Sequence, residues 1–281
     1  MSPWRKRLHR VAAVLVGAYL LAVGILASLE RQMVFPAPTV SEGWLAKRAK
    51  AQGAEVIAPV AEDGTRLYGW TIAAPEPRGV VVWFGGNGGT VGAHPDMYGR
   101  MRDAGWSIVQ VNYRGYPGSE GEPSEAGLRM DARAAWAVAS AMSDRVWIYG
   151  KSLGGGVAVG LAADLSDAGH PPFALVVESS FSSLVQVARE SVPWAPVGLF
   201  MRTRFDSVAR APEVRAPSLV LHGEADTLIG PWHAEALSRA LPGATTLTFP
   251  GAGHNDALVT TERGWAALER LLGAAEAGAS R

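Results

Sequence analysis

None of the 281 residues is cysteine. That absence removes disulfide staples, thiolate nucleophiles and cysteine-ligated metals together, and it is compatible with an oxidising compartment. Net charge is missing as well, because 26 Lys and Arg balance 26 Asp and Glu. The balance is uneven along the chain. Arg5, Lys6, Arg7 and Arg10 all precede an uncharged run, which leaves 22 basic against 26 acidic residues after it. Such a mildly acidic body has no electrostatic footprint for nucleic acid. Also lacking are an internal repeat and any His, Asp and Glu grouping at metal-ligand spacing, so neither a metal nor another cofactor is expected.

Charge is absent from one more place, the 19 positions from Val11 to Leu29. As a helix this run is about 28 Å long, close to the thickness of bilayer hydrocarbon. The basic flank before it stays cytoplasmic by the positive-inside rule, so the body is expected to be extracytoplasmic, periplasmic in a Gram-negative cell. A cleaved signal peptide is the competing reading, with Ala27-Ser28 near a possible site. The run is longer than a signal-peptide core and has no clean A-x-A pattern, which favours a single-pass, uncleaved signal-anchor. The expected organisation is therefore basic flank and anchor over 1–29, a connector over 30–53, and one domain over 54–281.

Gly150-Lys151-Ser152-Leu153-Gly154 carries the chemistry. Val146 to Tyr149 before it reads as a buried strand, and the Ala/Val/Leu-rich stretch from Gly155 to Leu165 reads as a helix. Strand, G-x-S-x-G turn and helix make a nucleophile elbow, with the Ser152 hydroxyl held above the sheet at a helix N-terminus. The competing reading is a glycine-rich turn with a surface serine. An acid and a histidine should follow in that order, and they do. Asp226 follows the strand ending at Gly223, and His254 follows the strand Thr245–Phe249. C-terminal ends of parallel strands share one rim, where Ser152, Asp226 and His254 can converge as nucleophile, acid and base.

Two rivals compete for these roles. Glu178, at the end of the preceding strand, is the alternative acid; Asp226 is preferred because it lies in a polar turn just before a helix start at Pro231. His222 lies within an apolar strand and reads as a core histidine that orders the turn after it. His9, His170 and His233 have no partner suggested by spacing, and His94 reads as a surface residue. Leu153, the residue after the nucleophile, and Asn87, in the loop Gly85–Gly89, are expected to give the two backbone donors of an oxyanion hole. That loop lacks both the P-loop ending and the dinucleotide spacing. Lys151 reads as a solvated lysine and Arg114 as a loop-ordering residue.

Five stretches together are far more specific than the elbow alone: Phe84–Gly89, Asn112-Tyr113-Arg114-Gly115-Tyr116, Ser119–Glu125, Gly150–Gly155 and Gly253-His254-Asn255-Asp256. On these the chain resembles the α/β-hydrolase superfamily over residues 54–272, within it the membrane-anchored, depalmitoylase-like branch. The branch usually has a histidine where this chain has Gly85. The resemblance implies a serine hydrolase with the triad named above.

The remaining pattern alternates strands and helices, as in an α/β fold with a mostly parallel sheet covered on both faces. An antiparallel strand pair across Asp63-Gly64 precedes it, and a helix with Trp265, Leu268, Leu271 and Leu272 on one stripe ends it. Residues 181–214 interrupt the rhythm. They are strongly apolar, and they read either as buried helix and loop or as a small cap that lines an acyl pocket or touches lipid, with Trp194 and Phe200 as the wall of that pocket. The expected activity is hydrolysis of a carboxylic ester or thioester with a small-molecule or lipid-like acyl group. A serine peptidase or amidase with the same triad, and a non-catalytic binding protein of the same fold, are the alternatives. The sequence does not specify an oligomeric state.

Overall fold

The structure is a computed structural model and describes residues 3–279. It opens with α1 (Pro3–Val34), a helix of 32 residues with no buried side chain and a mean hydropathy of 2.4 over its most apolar window. At 1.5 Å per residue α1 is about 48 Å long. It does not stop at Leu29, as the uncharged run suggested: Glu30 to Val34 extend it by more than a turn into the expected connector. α2 (Glu42–Gln52) follows, capped by the Ser41 hydroxyl and closed by Gly53 in the left-handed conformation that glycine adopts without strain.

The body is one eight-stranded sheet in the order β1-β2-β4-β3-β5-β6-β7-β8. β1 (Glu55–Ile57) and β2 (Gly69–Ile72) are antiparallel to each other, and β2 is antiparallel to β4 (Trp106–Val111). The other strands, β3 (Gly79–Phe84), β5 (Val146–Lys151), β6 (Leu175–Glu178), β7 (Ser218–Gly223) and β8 (Thr245–Phe249), run parallel to β4 and to one another. β5 is two residues longer than the run Val146–Tyr149, because Gly150 and Lys151 still pair with β3 and β6. The register therefore carries the strand up to the nucleophile.

Side chains of a buried strand alternate between faces, and β3 does so clearly. Val80, Val82 and Phe84 enter a core shared with α4 (Glu125–Met142), α5 (Leu153–Asp167) and α9 (Trp232–Ala240). Val81 and Trp83 enter a second core with α2, α3 (Pro95–Asp103) and α10 (Glu262–Ala279), where Leu268 and Leu272 are fully buried. Between β6 and β7 lie α6 (Leu184–Ser191), α7 (Val197–Phe200) and α8 (Ser207–Arg210). This interruption has two parts. α6 and α7 close a small cluster of their own, Val185, Ala195, Val197 and Met201, against which Leu26 and Val34 of α1 pack. Phe205, Ala211 and Val214 belong to the main core instead.

Candidate active site

Ser152 sits between β5 and α5 with φ 53° and ψ −120°. A non-glycine residue held there costs about 1–3 kcal/mol, so its surroundings must impose the conformation. The Ser152 N–H donates to the Glu178 carbonyl at 2.9 Å, and its own carbonyl accepts from Ser180 Oγ at 2.8 Å and from the Gly155 N–H at 2.9 Å. The glycines of the motif permit close packing. A Cβ on Gly150 would lie 2.3 Å from the Gly154 carbonyl oxygen, and one on Gly154 would lie 2.1 Å from that of Phe84. Strand and helix thus approach too closely for side chains, while the serine itself takes up the left-handed strain.

His254 Nε2 lies 3.0 Å from Ser152 Oγ, and His254 Nδ1 lies 2.7 Å from Asp226 Oδ2. A carboxylate only accepts, so Nδ1 carries the proton and the Nε2 lone pair faces the serine hydroxyl. Asp226 is fixed in turn. Its Oδ1 accepts from the Leu228 and Ile229 N–H groups at 2.9 and 2.8 Å. Gly223 lets β7 come close enough for this: a Cβ there would lie 2.3 Å from the Ala252 carbonyl. The Gly253 N–H closes the histidine loop on Asp256 Oδ2 at 2.7 Å.

Glu178 takes a different place. Its buried carboxylate accepts from the Leu258 and Val259 N–H groups, at 3.3 and 2.9 Å, and pairs with Lys151 Nζ at 3.0 Å. Lys151 also donates to the Asp256 carbonyl at 2.7 Å. Its side chain is only 12% exposed, so the solvated lysine expected from the sequence is instead part of a clamp on the loop of His254. His222 is fully buried beneath the Asp226 turn, with Nε2 donating to the Ile229 carbonyl at 2.9 Å. Burial pushes its pKa below the ordinary value, which keeps the ring neutral near neutral pH. Buried His233 accepts from the Ser182 N–H at Nδ1, 3.2 Å away, a partner its spacing did not reveal. His94 is an exposed ring stacked on Trp83.

Leu153 is the first residue of α5, so its N–H has no acceptor within the helix. Asn87 lines the same cavity as Ser152 and Leu153. The Gly86 carbonyl accepts from the Gly89 N–H at 3.1 Å. That bond sets the plane of the Gly86–Asn87 peptide and hence the opposite direction of the Asn87 N–H. Tyr113 donates to the Gly85 carbonyl at 2.9 Å and Tyr116 to the Asn87 carbonyl at 2.5 Å. Burial raises the pKa of both phenols, so both remain donors. These two tyrosines brace the loop, and the stretch from Asn112 to Tyr116 was their only signal in the sequence.

The serine opens into a cavity of about 300 Å³ lined mainly by apolar side chains, among them Phe181, Leu184, Val187, Phe200 and Ile229. Leu26, Glu30, Met33 and Val34 of α1 form part of the same lining. They recur at helical spacing and share one face. The Glu30 carboxylate fixes this wall by accepting from the Arg202 N–H at 3.0 Å and the Thr203 N–H at 2.7 Å. Phe200 lies in the wall as expected, but Trp194 does not. Trp194 is half exposed and turned toward Tyr19 of α1. No metal-holding group of His, Asp and Glu occurs among the described residues.

No protein-family model matches the chain. It is 34% identical over 268 residues to an uncharacterized protein of Mycobacterium tuberculosis, covering 89% of this chain and 90% of that protein. It is 30% identical to an α/β-hydrolase domain-containing protein of Arabidopsis thaliana, covering 69% of this chain and 70% of the other. A lysophosphatidylserine lipase of Danio rerio is 33% identical over 168 residues, 53% of this chain and 44% of the lipase. Among solved structures, an α/β hydrolase from Vibrio vulnificus superposes with a TM-score of 0.66 at 20% identity, over 84% of this chain and 87% of that one. This last likeness is one of fold.

Proposed function

Because the chain belongs to the α/β-hydrolase superfamily, we propose that it is a membrane-anchored serine hydrolase that cleaves a carboxylic ester or thioester of a lipid-like substrate through an acyl-enzyme on Ser152. The observation that carries this reading is the continuous relay from Asp226 through His254 to Ser152 Oγ, at 2.7 and 3.0 Å, beside an apolar cavity.

The chemistry follows from that geometry. His254 Nε2 takes the hydroxyl proton as Ser152 Oγ bonds to the acyl carbon, and Asp226 stabilises the imidazolium. The Leu153 and Asn87 N–H groups receive the negative oxygen of the tetrahedral intermediate. His254 then passes its proton to the departing alkoxide or thiolate. A water, deprotonated by the same nitrogen, attacks the acyl-enzyme, and collapse of the second intermediate frees the acid and restores the serine.

The lining favours an acyl chain over a peptide, which would need donors and acceptors along the groove to read its backbone. The lipase among the relatives favours the same substrate class. A purely binding role would have no use for all three members of the relay. The basic flank before α1 supports a single-pass anchor with the body outside the cytoplasm. Labelling with a fluorophosphonate probe tests the reading. The wild-type chain should be labelled and Ser152→Ala should not; absence of wild-type labelling on folded protein would overturn it.

A further inference from the structure

α1 and the cap formed by α6 and α7 touch over more of their length than a tether requires. At one end, Glu30 binds the backbone of Arg202 and Thr203. Eleven residues earlier, the Tyr19 hydroxyl donates to the Trp194 carbonyl at 3.3 Å, and the two rings meet edge to face with centroids 6.4 Å apart. Eleven residues of helix rise about 16 Å. The uncharged run of α1 ends at Leu29, next to Glu30, and fills about 28 Å of hydrocarbon. The cap therefore accompanies α1 through roughly half of the membrane depth, on the side nearest the body.

The side chains that the cap turns outward suit that position. Leu199 is 89% exposed and Trp194 is 51% exposed. Trp194 continues the apolar surface that Tyr19, Ile25 and Leu29 expose on α1, and Leu199 projects from the same cap segment. The cations that border this face have stems long enough to reach the head groups. Exposed Arg189 bonds Gln186 and lies against Gly198, where Arg204 also reaches the carbonyl, while Glu190 lies toward His233. Arg31, Arg202 and Arg204 follow Glu30 or its partners, at the level where head groups begin. In water this face would be an unpaired apolar patch. The membrane that receives α1 covers it without a further partner.

We propose that the segment from Val192 to Phe200 is seated in the leaflet nearest the body, against α1. The cavity of Ser152 then opens into hydrocarbon at that place and admits the acyl chain of an amphiphile sideways from the bilayer. The seating stands on geometry alone; the admission of substrate rests on the hydrolase reading above.

The absence of cysteine makes the test direct. Leu199→Cys, Trp194→Cys and Asp144→Cys are prepared in the full chain, each labelled with a nitrobenzoxadiazole maleimide, and reconstituted into phosphatidylcholine/phosphatidylglycerol vesicles. Asp144 is exposed and precedes β5, at the end of the sheet opposite Ser152. The labels at 199 and 194 should emit further to the blue than the label at 144. They should be reduced several-fold more slowly by dithionite, and only they should be quenched by lipids with a doxyl group on the acyl chain. Equal reduction rates at all three positions, with no lipid quenching, would overturn the seating. These measurements need no substrate. A failure of the hydrolase reading would appear separately, as absent fluorophosphonate labelling with the label depths unchanged.

Discussion

Lys151 and Glu178 face each other in register across β5 and β6, and their ion pair holds the backbone of the histidine loop, not the imidazole. The two acids at this rim therefore do different work, which a pair of variants separates. Asp226→Asn loses the acceptor that sets the His254 tautomer and should lower kcat by about ten-thousandfold, as the equivalent change does in serine proteases. Glu178→Gln keeps the shape and one acceptor of the loop clamp and should lower kcat far less. Its main effect should be a lower Tm, because Lys151 is left without its partner. Steady-state kinetics and thermal unfolding on the same preparations check this, and the reverse ranking in kcat would place the acid at Glu178.

Tyr116→Phe removes the donor that holds the Asn87 carbonyl while preserving ring packing. The expected loss is about tenfold in kcat, a fraction of the hundred- to thousandfold that follows removal of an oxyanion donor itself. KM should change little, because the bond acts on the developing charge. An unchanged kcat would mean that the loop needs no such brace.

The cavity wall predicts a chain-length dependence. Each further CH₂ buried contributes up to about 0.8 kcal/mol, so kcat/KM for p-nitrophenyl esters should rise from acetyl toward octanoyl until the cavity is full. Phe200→Ala and Leu26→Ala should each alter the ratio of octanoyl to acetyl activity. Trp194→Ala should not, because Trp194 lies outside the lining. A wild-type profile that falls steadily from acetyl would remove the acyl-pocket assignment.

Stability should also depend on pH in a defined direction. Burial holds both His222 and His233 below the ordinary value of 6.5. Once pH falls below about 6.5, the unfolded chain binds protons that the native chain refuses, so this stability is complete above that pH and is lost below it. Melting in detergent at pH values stepped down from about 7.5 toward 5, above the main carboxylate range, should show Tm falling. A flat Tm would indicate that one or both imidazoles protonate in place.

The sheet, the elbow and the relay could be read from the sequence because each depends on neighbours in the chain. Val146 to Tyr149 had to be buried, and Ser152 had to follow at a turn. Asp226 and His254 each follow closely on a recognisable strand. What stayed hidden depends on contacts between distant segments. Nothing local marks Lys151 as buried, because its partner Glu178 lies 27 residues on and the carbonyl it binds belongs to Asp256. Tyr113 and Tyr116 reach a loop nearly 30 residues earlier. Trp194 was placed in the wall because aromatics carry the largest apolar area per residue, but its ring meets Tyr19 of α1 instead, 175 residues away in the chain.

On the anchor reading proposed above, Glu30 and the face it shares with Leu26, Met33 and Val34 make that anchor non-interchangeable. A generic tether can be exchanged for another hydrophobic segment or cut away without touching the domain it carries. Here a cut after residue 29 would strip Leu26 from the cavity lining and leave Val34 on a severed stub. The released body would then lack one side of its candidate binding site, with a raw apolar trough in its place. A transplanted transmembrane helix would restore attachment to the bilayer without restoring that side, unless it also reproduced the spacing of residues 26, 30, 33 and 34.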